Sequence, residues 1–393
     1  MSNVNFKNEN GVFKIFLEGH IDSSNAPDVE KDIRNAASAG GFDSVIVDCD
    51  NLKYISSAGL RVILRLKKDY SDVKLINVSS DVYEVFDMTG FTEILEIQKA
   101  YRKISVEGCE VIGQGANGKV YRIDMDTIVK VYFDPDSLPE IHRERELARK
   151  AFVMGIPTAI PYDVVRVGDG YGSVFELLNA QSFAKLIIND PSSLDELMKL
   201  SADLLHAIHS TELKPGDMPD MRSVAVDWVE FLEDYLPADK YEKLHRIVLA
   251  VPEDHHMLHG DYHIKNIMRQ NGETLLIDMD TLCMGHPIFE FGSIYNAYLG
   301  FSDVDRNNVL DFLGIDYDTA TKIWEKTLKL YFEDKDDEFI ESVKDKATLI
   351  GHTRIMRRLI RRNGLNDEFG RKVIENSKNR IIEMLDKVDS LTW

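Results

Sequence analysis

The sequence predicts an α/β domain over residues 1–100, followed by an α+β domain with a β-rich lobe over 104–178 and a helical lobe over 179–393. Three observations lead there. Short apolar runs alternate with segments of helical period in the first hundred residues. Between Gly108 and Tyr132, strand-like runs are separated by turns at Gly113, Gly115, Gly118 and the Asp124–Asp126 corner. From Leu194 onward helical periodicity dominates, broken by a loop-and-strand stretch from His259 to Pro287. A chain of 393 residues is also too long for one core.

In the first domain, Val12–Leu17 is β-branched and aromatic and reads as a strand. Pro27 suits a helix start, with Val29, Ile33, Ala36 and Ala37 on the inner face. Ser44–Asp48 and Lys74–Val78 read as short buried strands; Ser56–Lys68 and Ser80–Thr89 read as helices. The sum is a small sheet with helices on one side. In the second domain Glu140–Val153 reads as a helix, Pro157 and Pro161 as a loop, and Tyr171–Leu177 as a strand.

Apolar residues make up 44%, ordinary for a folded chain, and the formal net charge is −20. So acidic a surface repels phosphate backbones and anionic lipids, which argues against nucleic-acid and membrane partners. No run reaches the roughly 20 apolar residues of a membrane span, and Met1–Asn10 is polar, unlike a signal peptide. Cys49, Cys109 and Cys283 are too few and too scattered for a disulfide framework or a metal cluster. A cytoplasmic protein with reduced thiols is expected.

Five elements in one order carry chemistry. Gly113, Gly115, Gly118 and Val120 have the spacing G-x-G-x-x-G-x-V between two strands, where glycines let a hairpin lie flat over phosphates. No helix follows them, which removes a dinucleotide-binding reading. Lys130 lies on the next strand between β-branched residues, a costly place for an ammonium unless it meets an anion. Glu144 and Glu146 both qualify as its partner; Glu144 is preferred because Leu147, Ala148 and Ala151 share its face. In His259–Asn266, Asp261 accepts the proton of an attacking hydroxyl and Asn266 offers an oxygen to a magnesium ion. His259 and His263 lack further nitrogen or sulfur ligands and read as loop-stabilising. Leu275–Asp280 is an apolar strand tipped by Asp278, the main magnesium ligand, with Asp280 assisting from the same side by strand alternation.

These residues resemble the aminoglycoside phosphotransferase and choline kinase group, through H-G-D-x-H-x-x-N at His259–Asn266 and I-D-x-D at Ile277–Asp280, over roughly Ile104–Trp393. The resemblance implies a two-lobed protein-kinase-like fold, ATP or GTP with Mg2+, and a small hydroxylated acceptor. It carries Asp261 over as catalytic base, Asn266 and Asp278 as metal ligands, and Lys130 with Glu144 as phosphate clamp. It also brings the backbone near Glu176 and Leu178 to the adenine. At Gly285–Glu290 a glutamate, Glu290, stands where that group often has aspartate.

The first hundred residues resemble a STAS domain, the fold of anti-sigma factor antagonists, through Leu17–Asp22 and Tyr54–Leu60. That likeness implies a regulatory or interaction domain with a protein partner. Ser56 and Ala58 replace the usual aspartate and second hydroxyl, so Ser57 is the remaining regulatory phosphosite candidate; the competing reading is that Ser56 or Ser57 merely caps the helix. Arg354, Arg357, Arg358, Arg361 and Arg362 fall on one helical face; a phosphorylated or acidic partner is one reading, and pairing with the protein's own acidic surface, with Glu333–Glu338 just upstream, is the favoured one.

Overall fold

The structure is a computed structural model that describes residues 3–38, 40–115 and 117–393. The chain divides into two compact units, Met1–Ser105 and Val106–Trp393.

In the first unit β1 (Val4–Glu9), β2 (Val12–Ile21), β3 (Ser44–Ile55), β4 (Val73–Val78) and β5 (Glu96–Lys99) form one sheet in chain order. β1 is antiparallel to β2, and the other pairings are parallel. The parallel pairings require crossovers, which α1 (Ala26–Ala37), α2 (Ser57–Asp69) and α3 (Ser80–Met88) supply. Alternate residues face the core: Phe13, Ile15 and Leu17 on β2, Val45, Val47 and Cys49 on β3, Val73 and Leu75 on β4. Ala26, Val29 and Ile33, Leu60, Ile63 and Leu66, and Val82 and Phe86 on the helices close over the same core. Ser56 caps α2, its hydroxyl accepting from the amides of Ala58 (3.2 Å) and Gly59 (3.5 Å). Ser57 is the exposed first residue of that helix.

In the second unit the antiparallel strands β6 (Glu110–Gln114), β7 (Gly118–Arg122), β8 (Thr127–Tyr132), β9 (Pro161–Val167) and β10 (Gly170–Glu176) are arranged with neighbours β9-β10-β8-β7-β6. The segment at Pro161, expected as a loop, is a strand: a proline that opens a strand removes no ladder bond from its interior. α4 (Leu138–Val153) turns Leu147, Ala148 and Ala151 into the main core of the helical lobe, which ties the two lobes together.

That lobe holds α5 (Phe183–Asn189), α6 (Leu194–His209), α7 (Met221–Phe231), α8 (Ala238–Leu249), the hairpin β11 (Ile267–Gln270)–β12 (Glu273–Leu276), and α9 (Ile288–Tyr298) to α13 (Glu368–Leu385). Every residue of α9 is buried, so it runs through the middle of the lobe. It packs along α12 (Asp337–Arg361). No helix among the described residues is long and apolar enough to cross a membrane.

Candidate active site

The glycine hairpin depends on close backbone approach. Gly118 pairs with Tyr132, and a Cβ at Gly118 would lie 2.3 Å from the carbonyl oxygen of Val131. Backbone cannot yield as a flexible side chain can, so only glycine fits. Gly118→Ala is expected to cost about 2 kcal/mol of second-unit stability and to weaken ADP binding, read by thermal unfolding and by titration. Ala116, inside the same motif, lies outside the described residues.

Lys130 projects from β8 to Glu144 on α4, with Nζ 2.9 Å from Oε1 and 3.2 Å from Oε2. The same ammonium donates to Oδ1 of Asp278 at 3.1 Å. Burial alone would lower the Lys130 pKa, but the charges of Glu144 and Asp278 outweigh it and raise it, so the ammonium stays charged. The Tyr132 phenol also donates to Glu144 Oε2. Glu146 is exposed and pairs with Lys150, one helical turn on.

The loop His259–Asn266 is built around a buried carboxylate. Glu290, with no exposed surface, accepts the amide of His259 at 2.5 Å and that of Gly260 at 3.1 Å. The longer side chain at this position therefore does brace the loop. Gly260 has φ +81°, and a Cβ there would sit 2.5 Å from the carbonyl oxygen of Thr281. The Asp261 amide donates to Nδ1 of His259 (3.3 Å), which leaves the proton on Nε2, 3.3 Å from the carbonyl of Ile277. The Ile277 amide donates to the Asn266 carbonyl at 3.0 Å, and Asn266 Nδ2 donates to the Asp261 carbonyl at 3.0 Å. Asp261, Asn266 and the segment entering Asp278 are thus interlocked through main-chain contacts. His263 contributes Nε2, 3.5 Å from Asp261 Oδ2.

Burial pushes the Asp261 carboxyl up, yet the hydrogen bond and charge of His263, with His259 and Arg354 behind them, bring it down to about 2. Asp280 goes the other way. Burial first, then the charges of Asp278, Glu144 and Asp261 against Lys130, raise it to about 7. Asp278 itself has left-handed backbone geometry, φ 65° and ψ 65°, a conformation that costs energy in a non-glycine residue and is found at functional sites. The strand ends at Leu276, and Met279–Thr281 form a 3-10 turn. Asp280 is therefore carried to the cleft by that turn, not by strand alternation.

One cleft of about 530 Å³ gathers these groups: Gly113, Gly115, Gly118, Lys130 and Glu144 on the sheet side, Glu176 and Leu178 at the connection between lobes, and Asp261, Asn266, Asp278 and Asp280 opposite. The Leu178 amide donates to nothing among the described residues. Ser57 belongs to the first unit.

The arginine stripe is not matched to the acidic run as expected. Asp336 caps α12 instead, accepting from the amide of Phe339. Arg354 donates to the Gly260 carbonyl (3.0 Å) and to Ser293 Oγ (2.7 Å), and Arg354, Arg358 and Arg362 line the cleft. Helical spacing identified their common face but not what that face meets.

Residues 108–322 match the model of the phosphotransferase enzyme family, more than half of the chain. The chain belongs to that family. It is a phosphotransferase of kinase type, and residues 3–104 match the STAS domain. The STAS unit is 35% identical over 91 residues to the putative anti-sigma factor antagonist BtrV of Bordetella bronchiseptica, covering 22% of this chain and 78% of that protein. The fold is similar to that of a thermostable mutant of aminoglycoside phosphotransferase APH(4)-Ia, with TM-score 0.50, 12% identity, and 71% of this chain and 94% of that one covered. It is likewise similar to ADP-bound aminoglycoside phosphotransferase APH(2'')-Ib, with TM-score 0.50, 16% identity, and 70% and 93% covered.

Proposed function

We propose that the second unit moves the γ-phosphate of ATP or GTP onto a hydroxyl of a small molecule, with Asp261 receiving the hydroxyl proton. The observation that carries this is the Lys130 ammonium, held within 3.1 Å of both Glu144 and Asp278 in the cleft that also contains Asp261 and Asn266. In the transfer, the acceptor oxygen bonds to the γ-phosphorus and the bond to the β,γ-bridging oxygen breaks, its electrons leaving with the nucleoside diphosphate. A carboxylate with a pKa of about 2 is a weak base, so Asp261 orients the hydroxyl and takes its proton late. That suits a loose, metaphosphate-like transition state.

The donor set fits Mg2+. Asn266 spends its amide nitrogen on Asp261, which leaves its oxygen for a cation, and Asp278 and Asp280 add hard carboxylate oxygens. When bound, that ion would neutralise charge on the phosphate oxygens. The Leu178 amide, which donates to nothing among the described residues and lines the same cleft as Glu176, is read as the donor to the base. The ADP in the similar APH(2'')-Ib supports a nucleotide here.

The STAS unit is read as a site for a protein partner. Self-phosphorylation of Ser57 is the second reading, favoured by its exposed position at the start of α2, where the helix dipole stabilises a phosphate. Incubation with γ-labelled ATP and magnesium, with aminoglycosides, choline and sugars offered in turn, separates the outcomes. Label on a small molecule supports the proposal. Label retained on the protein and lost in Ser57→Ala supports the second reading. Tight nucleotide binding without any transfer would make the unit a binding module. Lys130→Met is expected to raise KM for ATP at least tenfold, since it removes the cation of the phosphate clamp.

A further inference from the structure

We infer that the acceptor of this enzyme is an anion: a small polyhydroxy compound carrying a carboxylate or a phosphate, held by Arg358 and Arg362. This rests on the phosphotransferase reading above and goes on to name its substrate class.

The inference starts from an imbalance of charge. The chain as a whole carries −20, so its long-range field repels anions. Against that background α12 presents Arg354 and Arg358 to the cleft, and Arg362, which caps its C-terminal end, lines the cleft beyond them. Arg354 is committed to the catalytic loop through the Gly260 carbonyl and Ser293. The other two are not committed. Neither guanidinium makes a hydrogen bond or ion pair among the described residues, and Arg358 only lies over the Phe301 ring, 5.7 Å from its centroid. Burial, then repulsion from Arg362 and Arg354, lowers the pKa of Arg358; Asp261 is the acidic group that offsets them. Arg358 and Arg362 are both exposed, so an anion can reach them, and its charge would relieve their mutual repulsion.

The position points to the acceptor and not to the triphosphate. The triphosphate has its own cation in Lys130 and its own amides in the glycine hairpin. The arginines instead leave Gly260, the residue before Asp261, and follow α12 outward at about 5.4 Å per turn. A molecule whose hydroxyl sits at Asp261 would lay the rest of its length along Arg358 and Arg362. Two planar forks there match a carboxylate or phosphate bidentately and repel a polycation.

The test uses the full chain loaded with ADP and magnesium, and compares paired probes by calorimetry: gluconate against sorbitol, glycerol 3-phosphate against glycerol, and kanamycin as the cation. At least one anion is expected to bind tenfold or more tighter than its neutral partner; which of the two does so tells carboxylate from phosphate. The double variant Arg358→Gln, Arg362→Gln is expected to remove that preference while ADP affinity changes less than twofold. Equal binding of charged and neutral probes would overturn the inference. So would tighter binding of kanamycin, or loss of ADP affinity in the double variant, which would assign the arginines to the nucleotide. The same probes are then offered with labelled ATP. Anion binding without transfer to any probe, and no transfer in the wider panel, would leave the anion site standing while the phosphotransferase reading fails.

Discussion

Asp261→Asn is expected to bind ADP as the parent does and to lose about a thousandfold in kcat for phosphoryl transfer. The geometry explains the split. The Asp261 amide is fixed to His259 and its carbonyl to Asn266, and neither contact uses the carboxylate. An amide side chain therefore fits the same loop. It cannot take the acceptor's proton, and it no longer draws His263 and Arg354 toward a negative charge. Single-turnover measurement of labelled phosphate transfer, beside equilibrium ADP titration, checks this. A drop confined to KM for ATP would move Asp261 out of the proposed role.

Removing the brace is expected to do more damage to the fold. Glu290→Ala deletes a buried carboxylate that satisfies the amides of His259 and Gly260, and it leaves a hole in the fully buried helix α9. Stranding buried donors of this kind costs about 3 kcal/mol, and the loop that carries Asp261 loses its anchor. A lower unfolding midpoint for the second unit and at least a hundredfold loss of activity are the expected readings. Glu290→Gln separates charge from shape. Burial raises the Glu290 carboxyl, but His209, whose Nε2 lies 3.8 Å away, with His259 and the Gly260 amide, brings it below its ordinary 4.5. A group depressed in the folded state stabilises above its unfolded pKa and loses that contribution as pH falls through the folded value. The stability gap between parent and Glu290→Gln should therefore be full at neutral pH and shrink below about pH 4.5.

How far the sequence disclosed this depended on whether the signal was local. Asp261, Asn266 and Asp278 could be read because their chemistry sits on short segments with fixed spacing. Glu144 could be chosen over Glu146 because burial of a helix face is periodic, and Leu147, Ala148 and Ala151 mark that face. Strand β1 escaped notice because only Val4 on it is buried, so no alternation shows. The strand Pro161–Val167 was hidden by a proline that reads as punctuation but is harmless at a strand's first residue. Asp280 reached the cleft by a turn that period-two reasoning does not anticipate. The arginines of α12 were visible as a face, but whether a face meets solvent, an acidic neighbour or a cavity is decided by tertiary packing.

The Lys130 ammonium, shared between a helix of one lobe and a loop of the other, also has work in the absence of any ligand. Glu144, Asp278 and Asp280 crowd around it, and without a counter-ion their mutual repulsion would pry the empty cleft apart. The Lys130 ammonium offsets that repulsion, so neutralising this one side chain is expected to lower the stability of the second unit as well as its activity.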